Sequence, residues 1–247
     1  MQIVIISDVH GNLDALEAVL SDIDKSRPDA VINLGDCLSG PLQAAKTADL
    51  LMHRNFLTVR GNHDRVLAEG PVEQMRTSDH LAAEQLNESH LAWLRNVPAT
   101  LRCEGIFCCH GTPASDTTYL LESVQRGETC PSSLAEIAQK LNGVEDAVIA
   151  CGHSHQQRLV RTSDGKLLVN PGSLGLPAYF DDQPHRHASQ ARSPHARYAT
   201  LSRRGTNWDI QFKLIEYDWE KASRIAEDKG LADWAHALRT GFVPDAR

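Results

Sequence analysis

Ile3-Val4-Ile5-Ile6-Ser7-Asp8-Val9-His10-Gly11-Asn12 sets the reading of the whole chain. A continuous apolar run is the mark of a strand buried on both faces, as in parallel sheets. This run stops at a carboxylate and an imidazole two residues apart. Side chains alternate along an extended backbone, so the spacing predicts that Asp8 and His10 share one side at the sheet's edge. Such a pair can chelate a divalent cation. Asn12 is placed to cap a helix carrying Leu13, Leu16, Val19, Leu20 and Ile23, with Pro28 closing the segment.

The same event recurs along the chain. Residues 30–34 are apolar and end in Gly35-Asp36; residues 56–59 end in Arg60-Gly61-Asn62-His63-Asp64. A helix over 43–53 lies between them. Strand, helix, strand, helix, strand, each strand closing on polar residues, predicts βαβ units with a site at the carboxyl edge of a parallel sheet. Residues 65–96 read as helical pieces broken by Gly70-Pro71, a cap-like segment, with Ser89 or Asn87 capping the piece that carries Leu91, Trp93 and Leu94. Residues 106–109 end at His110-Gly111, and residues 147–151 at Gly152-His153-Ser154-His155, with a helix over 132–142 between. A hairpin over 158–169 runs into Asn170-Pro171-Gly172-Ser173.

Residues 177–196 change character. Pro, Ser, His, Arg and Gln dominate, and Tyr179 and Phe180 are the large apolar residues, so the stretch reads as a mobile loop. A late hairpin turns at Arg204-Gly205, and helices over 218–228 and 231–239 follow. With no internal repeat and no linker composition, residues 1–247 read as a single domain.

Composition bounds the function. Lys and Arg number 25 against 32 Asp and Glu, a net charge of −7, which argues against a basic nucleic-acid or membrane-surface protein. Nucleic acid is therefore not the expected partner, although bound cations would invert the local charge for a phosphate. No apolar stretch approaches the roughly 18 residues of a membrane-spanning helix. The six cysteines form no CxxC pair and read as reduced, packed residues of a cytoplasmic protein, Cys37 among them. No basic leader with an apolar core precedes the first strand.

Asp8, His10, Asp36, Asn62, His63, Asp64, His110, His153 and His155 all follow apolar runs. Two cations roughly 3.5–4 Å apart need about this many nitrogen and oxygen donors, with one carboxylate shared. Imidazole donors favour transition metals over Mg²⁺ or Ca²⁺, so two divalent ions from among Mn, Fe, Co, Ni and Zn are expected.

In this order, Asp8-Val9-His10, Gly35-Asp36, Gly61-Asn62-His63-Asp64, His110 and Gly152-His153-Ser154-His155 resemble the signature of the calcineurin-like metallophosphoesterases. Asn170-Pro171-Gly172-Ser173 resembles the smaller prokaryotic, phosphodiesterase-like members and extends the similarity to about residue 177. The resemblance implies an α/β fold of four layers, a two-sheet β-sandwich flanked by helices. It implies one metal on Asp8, His10 and His155, and a second on Asn62, His110 and His153, with Asp36 bridging. His63 would face the substrate, stabilising phosphoryl charge or protonating the leaving oxygen, with Asp64 orienting its ring. The implied activity is hydrolysis of a small phosphodiester or phosphomonoester by a hydroxide that both metals activate. Alternatives are a phosphomonoesterase, including a protein phosphatase, and a metal-binding interaction module without catalysis. A Tyr after the shared Asp, the ferric ligand of purple acid phosphatases, is replaced by Cys37-Leu38-Ser39.

Asn170, Gly172 and Ser173 read either as a turn beside the phosphate or as a tight turn supporting the sheet, and Arg197 as a further substrate contact. Arg186 and Arg192 raise the idea of a phosphate-binding flap, against a solvated loop.

Overall fold

The computed structural model describes residues 1–205 and 207–245. The chain opens with β1 (Gln2–Ile6), α1 (Leu13–Ser26), β2 (Ala30–Asn33), α2 (Ala44–Arg54) and β3 (Leu57–Thr58). Three helices follow, α3 (Asn62–Glu69), α4 (Thr77–Ala83) and α5 (Glu88–Asn96), with a 3-10 turn at Val72–Gln74. The second half runs β4 (Thr100–Cys103), β5 (Ile106–Cys109), β6 (Glu122–Gln125), β7 (Glu128–Pro131), α6 (Leu134–Leu141), β8 (Val148–Ala150), β9 (Gln157–Arg161) and β10 (Leu167–Pro171). It closes with β11 (Ala178–Asp181), β12 (His187–Gln190), β13 (Ala196–Arg204), β14 (Asn207–Ile215), α7 (Trp219–Asp228) and α8 (Ala232–Thr240).

One sheet has the order β14-β13-β1-β2-β3 and a second β4-β5-β8-β10-β9. The βαβ reading holds, because β1, β2 and β3 are parallel neighbours, as are β5, β8 and β10. Alternation along each strand then builds the layers. Ile3, Ile5, Ile32 and Leu34 of the first sheet pack against Ile106, Cys108, Val148 and Ala150 of the second. On the outer face of the first sheet, Val4 and Ile6 meet Leu16, Val19 and Leu20 of α1. On the outer face of the second, Phe107, Cys109, Ile149 and Cys151 meet Ile137 and Leu141 of α6. The result is helix, sheet, sheet, helix. Of the two caps considered for α5, Asn87 is the one used, its side chain accepting from His90 N at 3.1 Å.

Residues 177–196 differ from the expectation of a loop. β11 and β12 form an antiparallel pair within a third sheet, β11-β12-β7-β6, whose β6–β7 hairpin the sequence reading also missed. The residues these two strands bury are Ala178, His187, Ala188 and Ser189, small or polar rather than large and apolar. Their polar atoms are satisfied internally, Ser189 Oγ donating to Ser154 O at 2.6 Å. Loop-like composition therefore conceals a paired strand.

Candidate metal centre

The convergence of Asp8 and His10 does not come from strand alternation. β1 ends at Ile6, and both residues lie beyond it in the left-handed region, with φ of 56° and 50°. Asp36, His153 and His155 share that conformation, at 54°, 67° and 59°. For residues with a Cβ it costs about 1 kcal/mol or more each, and it persists where the surroundings over-determine the backbone. Here they do: Asp8 N donates to Gly35 O at 2.9 Å and His10 N to Asp36 O at 2.9 Å, tying the turn after β1 to the turn after β2. Two glycines let the turns close. A Cβ on Gly61 would fall 2.1 Å from Asp36 Oδ1, and one on Gly152 would fall 2.1 Å from Ser7 Oγ.

Two triads of donor atoms result. Asp8, His10 and His155 bring one ligand atom each within 4.8 Å of one another, as do Asp36, His110 and His153, and all six residues are buried. His155 Nε2 lies 3.3 Å from Asp8 Oδ1 and 3.2 Å from His10 Nε2. Asp36 Oδ2 stands between the triads, 3.2 Å from His110 Nε2 and 4.0 Å from His10 Nε2. Asn62, at the start of α3, brings Oδ1 to 3.1 Å from His110 Nε2.

The outer nitrogens fix which atoms face inward. Nδ1 of His10, His110 and His155 each meets a backbone carbonyl, Ser39 O at 3.1 Å, Leu34 O at 2.7 Å and Leu176 O at 2.6 Å. A carbonyl only accepts, so each Nδ1 carries a proton and each Nε2 turns toward the centre. His10 and His155 therefore turn their Nε2 atoms toward each other at 3.2 Å, where both could reach one cation. Buried Asp8 Oδ1 and His153 Nε2 have no hydrogen-bond partner among the described residues. Unpartnered buried acceptors are costly, and a divalent ion would satisfy them. Burial, reinforced by neighbouring imidazoles, pushes His10 down to about 3 and His153 down to about 4, leaving both rings neutral. Burial works against charge on His110 too, but the Asp36 carboxylate holds it up at about 10. Burial also opposes ionisation of Asp8 and Asp36, yet His155 and His110 respectively keep them below the usual carboxylate range.

His63 and Asp64 differ from expectation. Asp64 does not lie under the His63 ring: its Oδ2 accepts from Asp36 N at 2.8 Å and Gly61 N at 3.0 Å, and its Oδ1 from Cys37 N at 2.8 Å. As the third residue of α3 it caps its own helix and clamps the Asp36 turn. The partner of His63 is Asp79, whose Oδ1 is 2.7 Å from His63 Nδ1. Asp79 sits on α4, inside the cap-like segment, where nothing in the local sequence marks it. Burial disfavours the His63 cation, but Asp36 and Asp79 outweigh it and hold the ring up at about 9.

A cavity of about 620 Å³ opens over the triads, lined among others by His10, Asp36, Asn62, His63, His153 and His155. Asn170, Gly172, Ser173 and Arg197 are not among its lining residues. Asn170 Nδ2 donates to Gly152 O at 2.8 Å and Ser154 Oγ at 3.0 Å, and Ser173 Oγ donates to Asp8 O at 2.9 Å. The segment braces two donor turns from behind. Arg197 is buried and hydrogen-bonds the carbonyls of Ala191, Ser193 and His195. Arg186 lies 4.9 Å over the Phe180 ring. The sequence reading missed two tyrosines: Tyr179 packs its ring on His155 at 4.5 Å and donates to His153 O at 2.8 Å, and Tyr119 Oη meets Tyr179 Oη at 2.7 Å.

Two packed sheets with helices outside, and clustered His and Asp donors in the turns beyond the parallel strands, define a metallophosphoesterase fold. The chain belongs to the calcineurin-like phosphoesterase superfamily, whose domain model matches residues 1–190. That family binds divalent metal ions. The fold is similar to the crystal structure of a metallophosphoesterase from Sphaerobacter thermophilus, with a TM-score of 0.73, 24% identity, and coverage of 98% of this chain and 99% of that one. The chain is also 24% identical over 248 residues to the uncharacterized protein MJ0912 of Methanocaldococcus jannaschii, covering 94% of each. No helix among the described residues is long and apolar enough to cross a membrane.

Proposed function

We propose that this protein hydrolyses a small phosphoester, with a phosphodiester as the preferred class, using two divalent transition-metal ions. Asp8, His10 and His155 would hold one ion, Asn62, His110 and His153 the other, and Asp36 would touch both. The observation that carries the reading is the pair of buried triads, with Asp36 of the second lying 4.0 Å from His10 of the first and His63 beside them at the cavity. When bound, two cations supply the charge that lowers the pKa of a water and draws electrons from a phosphoryl oxygen.

The chain's own residues do the rest. His63, held by Asp79, keeps a proton near neutral pH and delivers it to the departing alcohol oxygen. Asp64 keeps the Asp36 turn rigid without touching substrate. The cavity's volume suits a small organic ester, which favours this over a protein phosphatase. The six free cysteines accord with a reducing compartment such as the cytoplasm. The test is hydrolysis of bis(4-nitrophenyl) phosphate and 4-nitrophenyl phosphate by protein loaded with Mn²⁺, Co²⁺, Ni²⁺ or Zn²⁺. Turnover of the diester that disappears with chelator supports the reading. Turnover of neither ester with any metal leaves only the interaction-module alternative.

A further inference from the structure

Trp234 lies on α8, beyond residues 1–190 matched by the family model, and it lines the cavity. Its indole meets the His10 imidazole nearly at right angles, 5.8 Å between centroids and 81° between planes. The ring packs against two apolar clusters, one containing Leu42 and Leu238 and the other Leu176 and Ala178. Gly40 permits this approach, since a Cβ there would fall 2.8 Å from two indole carbons. Gly40 also has φ +142°, a conformation that residues with a side chain rarely adopt. The fold thus accommodates a large flat ring against one of the candidate metal ligands while leaving it only half-buried.

The surroundings suggest what that ring meets. Tyr179 and Phe180, from β11, line the same cavity. The same cavity is lined by candidate metal ligands and by the aromatic residues Tyr179, Phe180 and Trp234. A phosphate at the ligands with a flat ring against the aromatic residues matches both. The His63 ring is 5.6 Å from that of His10. His63 and Trp234 each meet the His10 imidazole and line the same cavity, so a substrate whose alcohol oxygen reaches His63 has the indole close by.

We infer that Trp234 is a specificity-determining residue that receives the leaving alcohol, and that this alcohol carries a flat conjugated ring, aryl or heterocyclic. The inference rests on the phosphoesterase reading above. Base–aromatic stacking contacts in proteins are strong enough to shift affinity about tenfold or more.

The experiment compares benzyl methyl phosphate with cyclohexylmethyl methyl phosphate, which differ in the flatness of the ring far more than in the reactivity of the alcohol. Manganese-loaded wild type should favour the benzyl ester about tenfold in kcat/KM, mostly through KM. Trp234→Leu should bring the ratio of the two esters close to one, and Trp234→Phe should retain most of the preference. Manganese affinity and Tm are measured on each variant to confirm an intact centre. Equal kcat/KM for the two esters in wild type overturns the inference without any variant, as does a preference that survives in folded Trp234→Leu. Hydrolysis of the 4-nitrophenyl esters but of neither of these also overturns the inference, whereas hydrolysis of none of them overturns the phosphoesterase reading instead.

Discussion

His63 Nδ1 lies 2.7 Å from Asp79 Oδ1, and this contact joins the helical segment over 65–96 to the chemistry at the sheet edge. Asp79 is 2% exposed and His63 is 18% exposed, so the pair is sheltered while the ring still reaches the cavity.

Asp79→Asn should lower kcat about 10- to 100-fold on an alkyl ester, whose alcohol needs a proton to leave, with little change in metal content. On bis(4-nitrophenyl) phosphate the loss should be small, because 4-nitrophenolate leaves unaided. Steady-state kinetics on both esters check this. An equal loss on the two would assign Asp79 a purely structural role.

Asp64→Ala should behave differently. It strands three backbone N–H groups that now donate to a carboxylate, costing about 3 kcal/mol or more of stability. Urea unfolding should therefore separate Asp64 from Asp79.

The His63 charge gives a pH signature in chelator-treated protein. A pKa raised from 6.5 to about 9 means that the folded state binds the proton more tightly. The stabilisation is complete below about pH 6.5 and is lost as pH rises through 9. Unfolding of wild type and His63→Ala should differ by about 1–3 kcal/mol more at pH 6 than at pH 9.5. A difference independent of pH would contradict the assigned charge.

Tyr179→Phe removes the phenol that donates to His153 O. Metal affinity should fall about 10- to 100-fold, as for other partners that orient metal-bound histidines, while Tm moves by only a few degrees. Affinity within threefold of wild type would mean that the phenol does not position the histidine turn.

Much of this site is legible in sequence, for a physical reason. A buried parallel strand must be apolar, so a sudden Asp-x-His, Gly-Asp or Gly-His-x-His marks both the strand's end and its chemistry. The βαβ units follow from the same runs, whereas the four-layer arrangement is implied by the family resemblance. What is not legible depends on tertiary placement. Asp79 is one acidic residue on a short helix, and only the packing of α4 on α3 brings it to His63. Asp64 follows His63 directly in the chain, but its helix turns it toward the Asp36 backbone. Asn170 and Ser173 are polar and close to the site, yet they serve carbonyls rather than ligand. The hairpin carrying Tyr179 buries small and polar residues, so composition disguises it.

The most direct measurement is calorimetric titration of chelator-treated protein with Mn²⁺. The account predicts two ions per chain, with His155→Ala and His153→Ala each losing one and Asp36→Asn weakening both. A wild-type stoichiometry of one ion or none would contradict it.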